Sequence, residues 1–228
     1  MAALACPPDE DQISWLRLFA VRPGFQVDDA WNRLWPAVNS SLKDNFPGLL
    51  INSLVMNSKM GRILSRAGFK EVYKVVVLVW EVIQAKWPES RSDLEIREMV
   101  PEDIQRIYEI DLEAFSLIWR NSMSQQRAAY QEAFSATVIE EDGKVVAYQI
   151  STTNPSGGHL ARLAVDPDYQ KQGLATGLLD DLLATFQDQG IIEVTVNTQS
   201  ENKASIELYK KFGFQILEET YPVLQYQV

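Results

Sequence analysis

From Leu160 to Val165 the chain runs apolar as a short strand, Asp166 and Pro167 stop it, and from Gly173 onward Leu174, Leu178, Leu179, Leu182, Leu183 and Phe186 recur at helical spacing. This pattern predicts a strand, a turn and an amphipathic helix. Ile191 to Val196 repeats the strand signal, and Asn202 then opens a second helix carrying Ala204, Leu208 and Tyr209. That helix ends at Lys210, Lys211, Phe212 and Gly213, where a glycine suits a helix C-terminus. Upstream, Leu94 to Val100 reads as a strand and Pro101 to Phe115 and Ser124 to Ala133 as helices. Ala136 to Glu140 and Val145 to Thr152 read as a hairpin around Glu141 to Lys144. Two further strands are expected at Phe214 to Glu219 and Val223 to Val228.

Composition narrows the classes. With 228 residues, 46% of them hydrophobic, the chain can form one large or two modest packed domains. Its one cysteine, Cys6, excludes an intramolecular disulfide and offers no cluster for a metal, so no metal site is expected and a reducing cytoplasm is the expected compartment. The start lacks the basic region of a signal peptide, and no apolar run reaches membrane-spanning length, so no membrane partner is expected. Charge is uneven: +1 up to Asp93 and −11 from Leu94 onward, for a total of −10. Such a field disfavours nucleic acid as a partner and favours approach by a cationic amine; a solvated acidic surface without functional meaning is the plainer reading.

The turn before the first helix has its own chemistry. The first four amides of a helix lack intrahelical partners, and the helix dipole adds partial positive charge, so this end can hold a pyrophosphate. Gly173 and Ala175 keep the approach clear, while Lys171 and the Thr176 hydroxyl add a charge and a donor.

The run Gln170-x-x-Gly173-x-Ala175, followed about thirty residues later by Asn202-x-x-Ser205-x-x-Leu208-Tyr209-x-x-x-Gly213-Phe214, resembles the two cofactor motifs of the GNAT acetyltransferase superfamily. The resemblance covers Leu94 to the C-terminus. It implies an α/β architecture of the α+β GNAT type, a mixed central sheet with splayed central strands flanked by helices. It implies acetyl-CoA as the acyl donor, with pantetheine lying like an added strand along the backbone of Leu163, Ala164 and Val165. Gln170, Lys171, Gln172, Gly173, Leu174, Ala175 and Thr176 would surround the pyrophosphate, and Asn202 and Ser205 would contact the cofactor by side chain. The implied activity is N-acetyl transfer to a primary amine by direct attack through a tetrahedral intermediate. A protein N-terminus, a lysine side chain and a small-molecule amine all remain open as acceptor. A non-catalytic acyl-CoA-binding regulatory module is the competing class, and retention of Tyr209 argues against it.

Three roles follow from the same resemblance. The Leu163 amide is placed beside the thioester carbonyl as oxyanion donor. Tyr209 matches the tyrosine that protonates the leaving thiolate; the plain alternative is a ring packed against the sheet. For the base, the subgroup that acetylates ribosomal-protein N-termini carries a glutamate at the position of Asn197, and an amide cannot replace it. The histone-acetyltransferase branch carries its glutamate at the position of His159, the one histidine of the chain. Alternation puts His159, Ala161, Leu163 and Val165 on one strand face, where an imidazole could accept a proton directly or through water. A solvated histidine and a purely binding role stay open. The segment from Phe115 to Ser124, with Trp119, would overlie the acceptor groove or simply pack.

An internal repeat also runs through the chain. Ala20 to Gln26 parallels Ala164 to Gln170, and Asn57 to Gly68 and Phe69 has the spacing of Asn202 to Gly213 and Phe214, at an offset of about 144. In the first copy Asp28, Asp29, Ala30 and Trp31 stand where Gln172 to Ala175 stand in the second, and Leu64 replaces Tyr209. Two carboxylates repel a pyrophosphate and Trp31 fills its space. The expected organisation is therefore tandem: residues 1–90 a degenerate, partial GNAT-like domain without catalysis, and 91–228 a complete acetyltransferase domain, with 86–93 as linker. Only Met1 to Gln12 precede the strand read at Ile13 to Val21, which leaves an edge for the other domain or a second copy of the chain to cover, as in a homodimer through this half.

Overall fold

The computed structural model of the chain describes residues 1–9 and 12–228. In chain order the elements are β1 (Ala2–Ala5), β2 (Ile13–Trp15), β3 (Leu18–Val21), α1 (Val27–Asn45), β4 (Leu50–Leu54), α2 (Ser58–Arg66) and β5 (Lys70–Glu81). They continue with β6 (Ile96–Glu98), α3 (Ile104–Ala114), α4 (Met123–Gln131), β7 (Ser135–Glu141), β8 (Lys144–Asn154) and β9 (Gly157–Val165). The last are α5 (Leu174–Asp188), β10 (Glu193–Gln199), α6 (Lys203–Lys211) and β11 (Gln215–Gln227). Two compact units result, Met1–Val75 with Thr220–Val228, and Val76–Glu219.

In the first unit β2 runs parallel to β4, Ile13 opposite Leu50 and Trp15 opposite Asn52. The Leu16 amide still donates to the Asn52 carbonyl at 2.8 Å, but the Arg17 amide donates to Ala5 at 2.9 Å, and β3 pairs antiparallel with β1. The strand expected over Ile13 to Val21 is thus two strands that part at Leu16–Arg17. One edge of β3 is paired by the chain's own apolar first residues, since the extended Ala2–Ala5 run satisfies its backbone groups directly. Glu10 and Asp11 lie outside the described residues. The core is aromatic: Trp31 stacks on Trp35 with centroids 5.2 Å apart, and Phe19 meets Trp31 edge-on at 5.3 Å.

In the second unit the strand order is β5-β10-β9-β8-β7-β6. β9 is parallel to β10 and antiparallel to β8, so the sheet is mixed. The helical periodicity read from Leu174 to Phe186 is used as expected, for Leu179, Leu182, Leu183 and Phe186 of α5 are buried with Leu160, Val194 and Val196. Helix α3 contributes Ile104, Ile107 and Ile110 to a separate layer with Tyr148, Ile150 and Ala164. Among the described residues no helix is long and apolar enough to cross a membrane, and no cluster of His, Cys, Asp or Glu could hold a metal ion.

Two expectations are corrected here. A bulge between β8 and β9 sets Ile150 opposite Arg162 but Ser151 opposite Leu160, leaving Ala161 as an extra residue. Leu160 and Leu163 therefore both pack toward α5, while Ala164 packs toward α3. Strict alternation fails at Ala161, and His159 shares its face with Arg162 and Ala164 rather than with Leu163 and Val165. The two C-terminal strands are one, β11, since the residue before Pro222 favours extended backbone and the run continues through it.

At the start of β9 the backbone approaches β10 closely. A Cβ on Gly157, whose φ is +147°, would lie 2.5 Å from the Glu193 carbonyl oxygen. Gly157→Ala is expected to lose about 1–3 kcal/mol of stability in urea unfolding; a loss below about 0.5 kcal/mol would contradict so close an approach.

Candidate active site

The site begins with a missing set of hydrogen bonds. β9 and β10 are in register over three pairs, Gly158 with Val194, His159 with Thr195 and Leu160 with Val196. Beyond these, β9 stays paired with β8 as far as Val165, and no further pairing with β10 occurs among the described residues. The Asp166 amide donates to the Val146 carbonyl at 2.8 Å, and Ala164 lies opposite Tyr148. In an antiparallel ladder hydrogen-bonded pairs alternate, so Arg162 and Ala164 direct their N–H and C=O toward β8, and Leu163 and Val165 direct theirs into the gap. Of the three residues whose backbone was expected to meet a cofactor arm, Leu163 and Val165 face the gap and Ala164 does not.

The turn after β9 is held from behind. Asp166 is buried, is paired with Arg106 of α3, and accepts the Asp168 amide at 3.0 Å. Lys171 and Gly173 then take left-handed backbone angles, φ +62° and +88°. Alternating left-handed residues turn successive amides to one side, which makes a concave anion site. No side chain caps α5 at Gly173, whereas Ser122 caps α4 and Asn202 caps α6. The first amides of α5 are left for a ligand, and this uncapped end fits a pyrophosphate. Arg91 reaches in from the segment before β6: its Nη1 donates to the Gln172 carbonyl at 3.3 Å, and its guanidinium pairs with Asp93 and Glu141.

Gap and turn open on one cleft of about 550 Å³. Leu163, Ala164, Val165, Gln170, Lys171, Gly173, Leu174, Ala175, Thr176, Asn202 and Ser205 all line it, as does Trp119. Lys171 is the one charged residue among its lining side chains. Asn202 also works structurally, since its Oδ1 accepts the Ser205 amide at 3.2 Å. Three expected site residues do not line the cleft: Gln172, Tyr209 and His159.

His159 sits at the closed end of the gap. Its Nδ1 is 2.8 Å from the Thr195 hydroxyl, which itself donates to the Gly158 carbonyl at 3.3 Å. That hydroxyl oxygen then accepts from Nδ1–H, and Nε2 carries the free lone pair. Burial lowers the imidazole below its ordinary value, the bond to Thr195 opposing, so His159 is neutral at pH 7. Tyr209 is buried against Phe214, with centroids 5.5 Å apart, and burial raises its phenol above the ordinary value. Its hydroxyl makes no hydrogen bond among the described residues, and its neighbour Leu208 lines the cleft.

The sequence reading missed Arg91, the Arg106–Asp166 anchor and the Asp111–Arg162 pair beneath Phe115. Each joins residues dozens of positions apart, so no local spacing announces them. The cleft-lining Phe115 and Trp119 lay within the segment expected there.

Comparison with known proteins bears on this geometry. The acetyltransferase (GNAT) family profile matches residues 104–214. A curated protein named [ribosomal protein bS18]-alanine N-acetyltransferase, from Haemophilus ducreyi, is 31% identical over 121 residues, covering 52% of this chain and 81% of that protein. A solved GCN5-related N-acetyltransferase from Sphaerobacter thermophilus superposes with a TM-score of 0.72 at 17% identity, over 99% of this chain and 76% of the other. A tandem GNAT protein from the clavulanic acid biosynthesis pathway superposes with a TM-score of 0.71 at 13% identity, over 99% of this chain and 78% of the other. The two structures speak for the fold and the Haemophilus relative for descent: the chain belongs to the GNAT family of acetyl-CoA-dependent N-acetyltransferases.

Proposed function

We propose that the reacting thioester lies in the gap beside Leu163 and Val165 and that a primary amine attacks it directly. The observation that carries this reading is a single cleft combining an unpaired strand edge, a left-handed turn and an uncapped helix start, with Lys171 as its lone charge. Acetyl-CoA supplies an acyl group already activated as a thioester. The chain's own residues do the rest. Lys171 and the amides from Gly173 onward hold the pyrophosphate, and the outward backbone of Leu163 and Val165 pairs with the pantetheine amides as a strand would. The Leu163 N–H is aimed at the oxyanion that develops on the carbonyl. Nε2 of His159 takes the proton of the amine through water, and Tyr209 gives a proton to the departing thiolate, against the burial that raises its phenol and weakens it as an acid.

This base suits some amines better than others. A histidine with a depressed pKa is a weak base, so the acceptor should already be partly neutral. An α-amino group, with a pKa of about 7.7–8.0, meets that condition and a lysine at about 10.4 does not. The name of the Haemophilus relative, which specifies a protein alanine, points the same way. An α-amine is therefore the acceptor class favoured.

We further read residues 1–90 as a degenerate repeat of the 91–228 domain. Several likenesses support this. Pairing with β4 ends at Leu16, about 144 residues before pairing of β9 with β10 ends at Leu160. Asn57 caps α2 through the Met60 amide at 2.9 Å, as Asn202 caps α6 through the Ser205 amide. Gly68 and Gly213 both end their helices at φ +96°. In the first copy the cofactor position is filled by the buried Trp31, with Asp28 and Asp29 in the first turn of α1.

Two outcomes are expected. With acetyl-CoA and an α-amine peptide, Tyr209→Phe lowers kcat by about 10²–10⁴-fold in a thiol-release assay and leaves the KM for acetyl-CoA unchanged; unaltered turnover removes Tyr209 from the mechanism. On the acid side the kcat/KM profile carries two ionisations, that of the α-amine at about 7.7–8.0 and a second below the ordinary histidine value of about 6.5, as Nε2 becomes protonated; His159→Gln abolishes only the second. Protonation of this imidazole also favours the unfolded chain, so its contribution to stability is present above pH of about 6.5 and is lost as pH falls through the folded pKa. A second, lower ionisation that survives in His159→Gln excludes it as the base.

A further inference from the structure

We propose that Arg162 and Asp111 form a positioning pair that folds residues 115–122 into the acceptor wall of the cleft, so that this pair, without touching the reacting atoms, sets the affinity for the amine. The proposal rests on the reading of the cleft as an acetyl-transfer site. Its observations are a buried network. Asp111 on α3 is fully buried, and Arg162 on β9 holds it through Nε at 2.7 Å and Nη2 at 2.6 Å. The other carboxylate oxygen of Asp111 accepts the Asn121 amide at 2.8 Å, and Nη2 of Arg162 also donates to the Trp119 carbonyl at 2.8 Å. The pair thus grips the backbone of the segment at two points. At its start, the Phe115 ring lies over the guanidinium, 3.6 Å from its Cζ. Tyr148 donates to Asp111 at 2.7 Å and receives the Gln126 amide at 3.0 Å, which ties the pair to β8 and α4.

What the segment presents to the cleft is Phe115, Ser116 and Trp119. The residue after Arg162 is Leu163, whose N–H faces the gap. One side chain therefore links the strand that holds the thioester to the wall opposite it. A buried ion pair is an inefficient way to stabilise a fold, since apolar residues of similar volume usually do as well or better. It is an efficient way to fix geometry, because the Arg fork is planar and donates in set directions. An acceptor held between wall and strand depends on that geometry, and misplacement by about 1 Å can cost about a hundredfold. The pyrophosphate turn lies beyond Val165 and makes no bond to this pair, so donor binding should be indifferent to it.

The test uses the full chain with R162K, R162M and the double variant R162M/D111L. The double variant leaves no unpaired buried charge and so keeps the question answerable where R162M does not fold. Two readouts are taken: hydrogen exchange of the backbone amides in 115–122, and separate KM values for acetyl-CoA and for a short peptide with a free α-amino group. In R162M and the double variant the peptide KM should rise about tenfold or more, the acetyl-CoA KM should stay within about twofold, and exchange in the segment should accelerate about tenfold. R162K, which keeps the charge and loses the fork, should fall between these and the parent. Unchanged exchange, or two KM values rising by the same factor, overturns the proposal. A parent chain that binds acetyl-CoA by calorimetry but releases no thiol with any amine instead overturns the acetyl-transfer reading, and exchange in the segment still decides whether the pair holds the wall.

Discussion

Two neighbouring strands stop sharing hydrogen bonds after three residue pairs, and the rest of the site is arranged around that break. Backbone groups without partners are costly once shielded from water, so a sheet that parts in its middle must fill the opening with something that donates and accepts like a strand. Here the opening is enforced from both ends. Near its base, Gly157 and Gly158 let β9 press against Glu193 and Phe186, which locks the first pairs with β10. The extra residue at Ala161 then turns β9 within its ladder to β8, and Asp166, gripped by Arg106, fixes where the strand ends. The gap is thus a consequence of packing on every side of it.

The chemistry follows from what that frame leaves exposed. Backbone groups of Leu163 and Val165 without a strand partner lie along one wall, the Val165 carbonyl accepting only the Gln170 side chain at 3.3 Å; the uncapped start of α5 closes the cleft at one end, and no carboxylate lines it. An anionic ligand meets Lys171 and backbone amides and no opposing charge from the lining. None of the acidic residues of this half of the chain lines the cleft. In the first unit the chain likewise leaves β4 after three residue pairs, at Leu16–Arg17, but there the Trp31–Trp35 stack occupies the core and two carboxylates open the helix. The start of that helix therefore presents carboxylates rather than a surface able to hold an anion.

Much of this was legible in sequence because it is local. The strand, turn and helix around Gly173 are set by periodicity and by a residue that tolerates φ +88°, and the Asn202 cap is announced by its position before Ala204 and Leu208. The bulge at Ala161 was not legible. Its cause lies in register with β8, and a single extra residue reverses every side chain before it, which moved His159 to the other face. The partners of Asp111, Asp166 and Gln172 were hidden for a related reason: each is an arginine brought in from a distant part of the chain. The break in the first unit's strand at Leu16 was equally invisible, because it depends on Ala2–Ala5 folding back onto β3.

The central claim is that the gap beside β9 receives the acyl donor as an added strand. Backbone hydrogen exchange at Leu163 and Val165, followed by NMR with and without saturating acetyl-CoA, tests this most directly. The geometry predicts that both amides exchange readily in the free chain and become protected on binding, while the Ala164 amide, already bonded to β8, changes little. Saturation with acetyl-CoA that leaves Leu163 and Val165 unprotected would contradict the account.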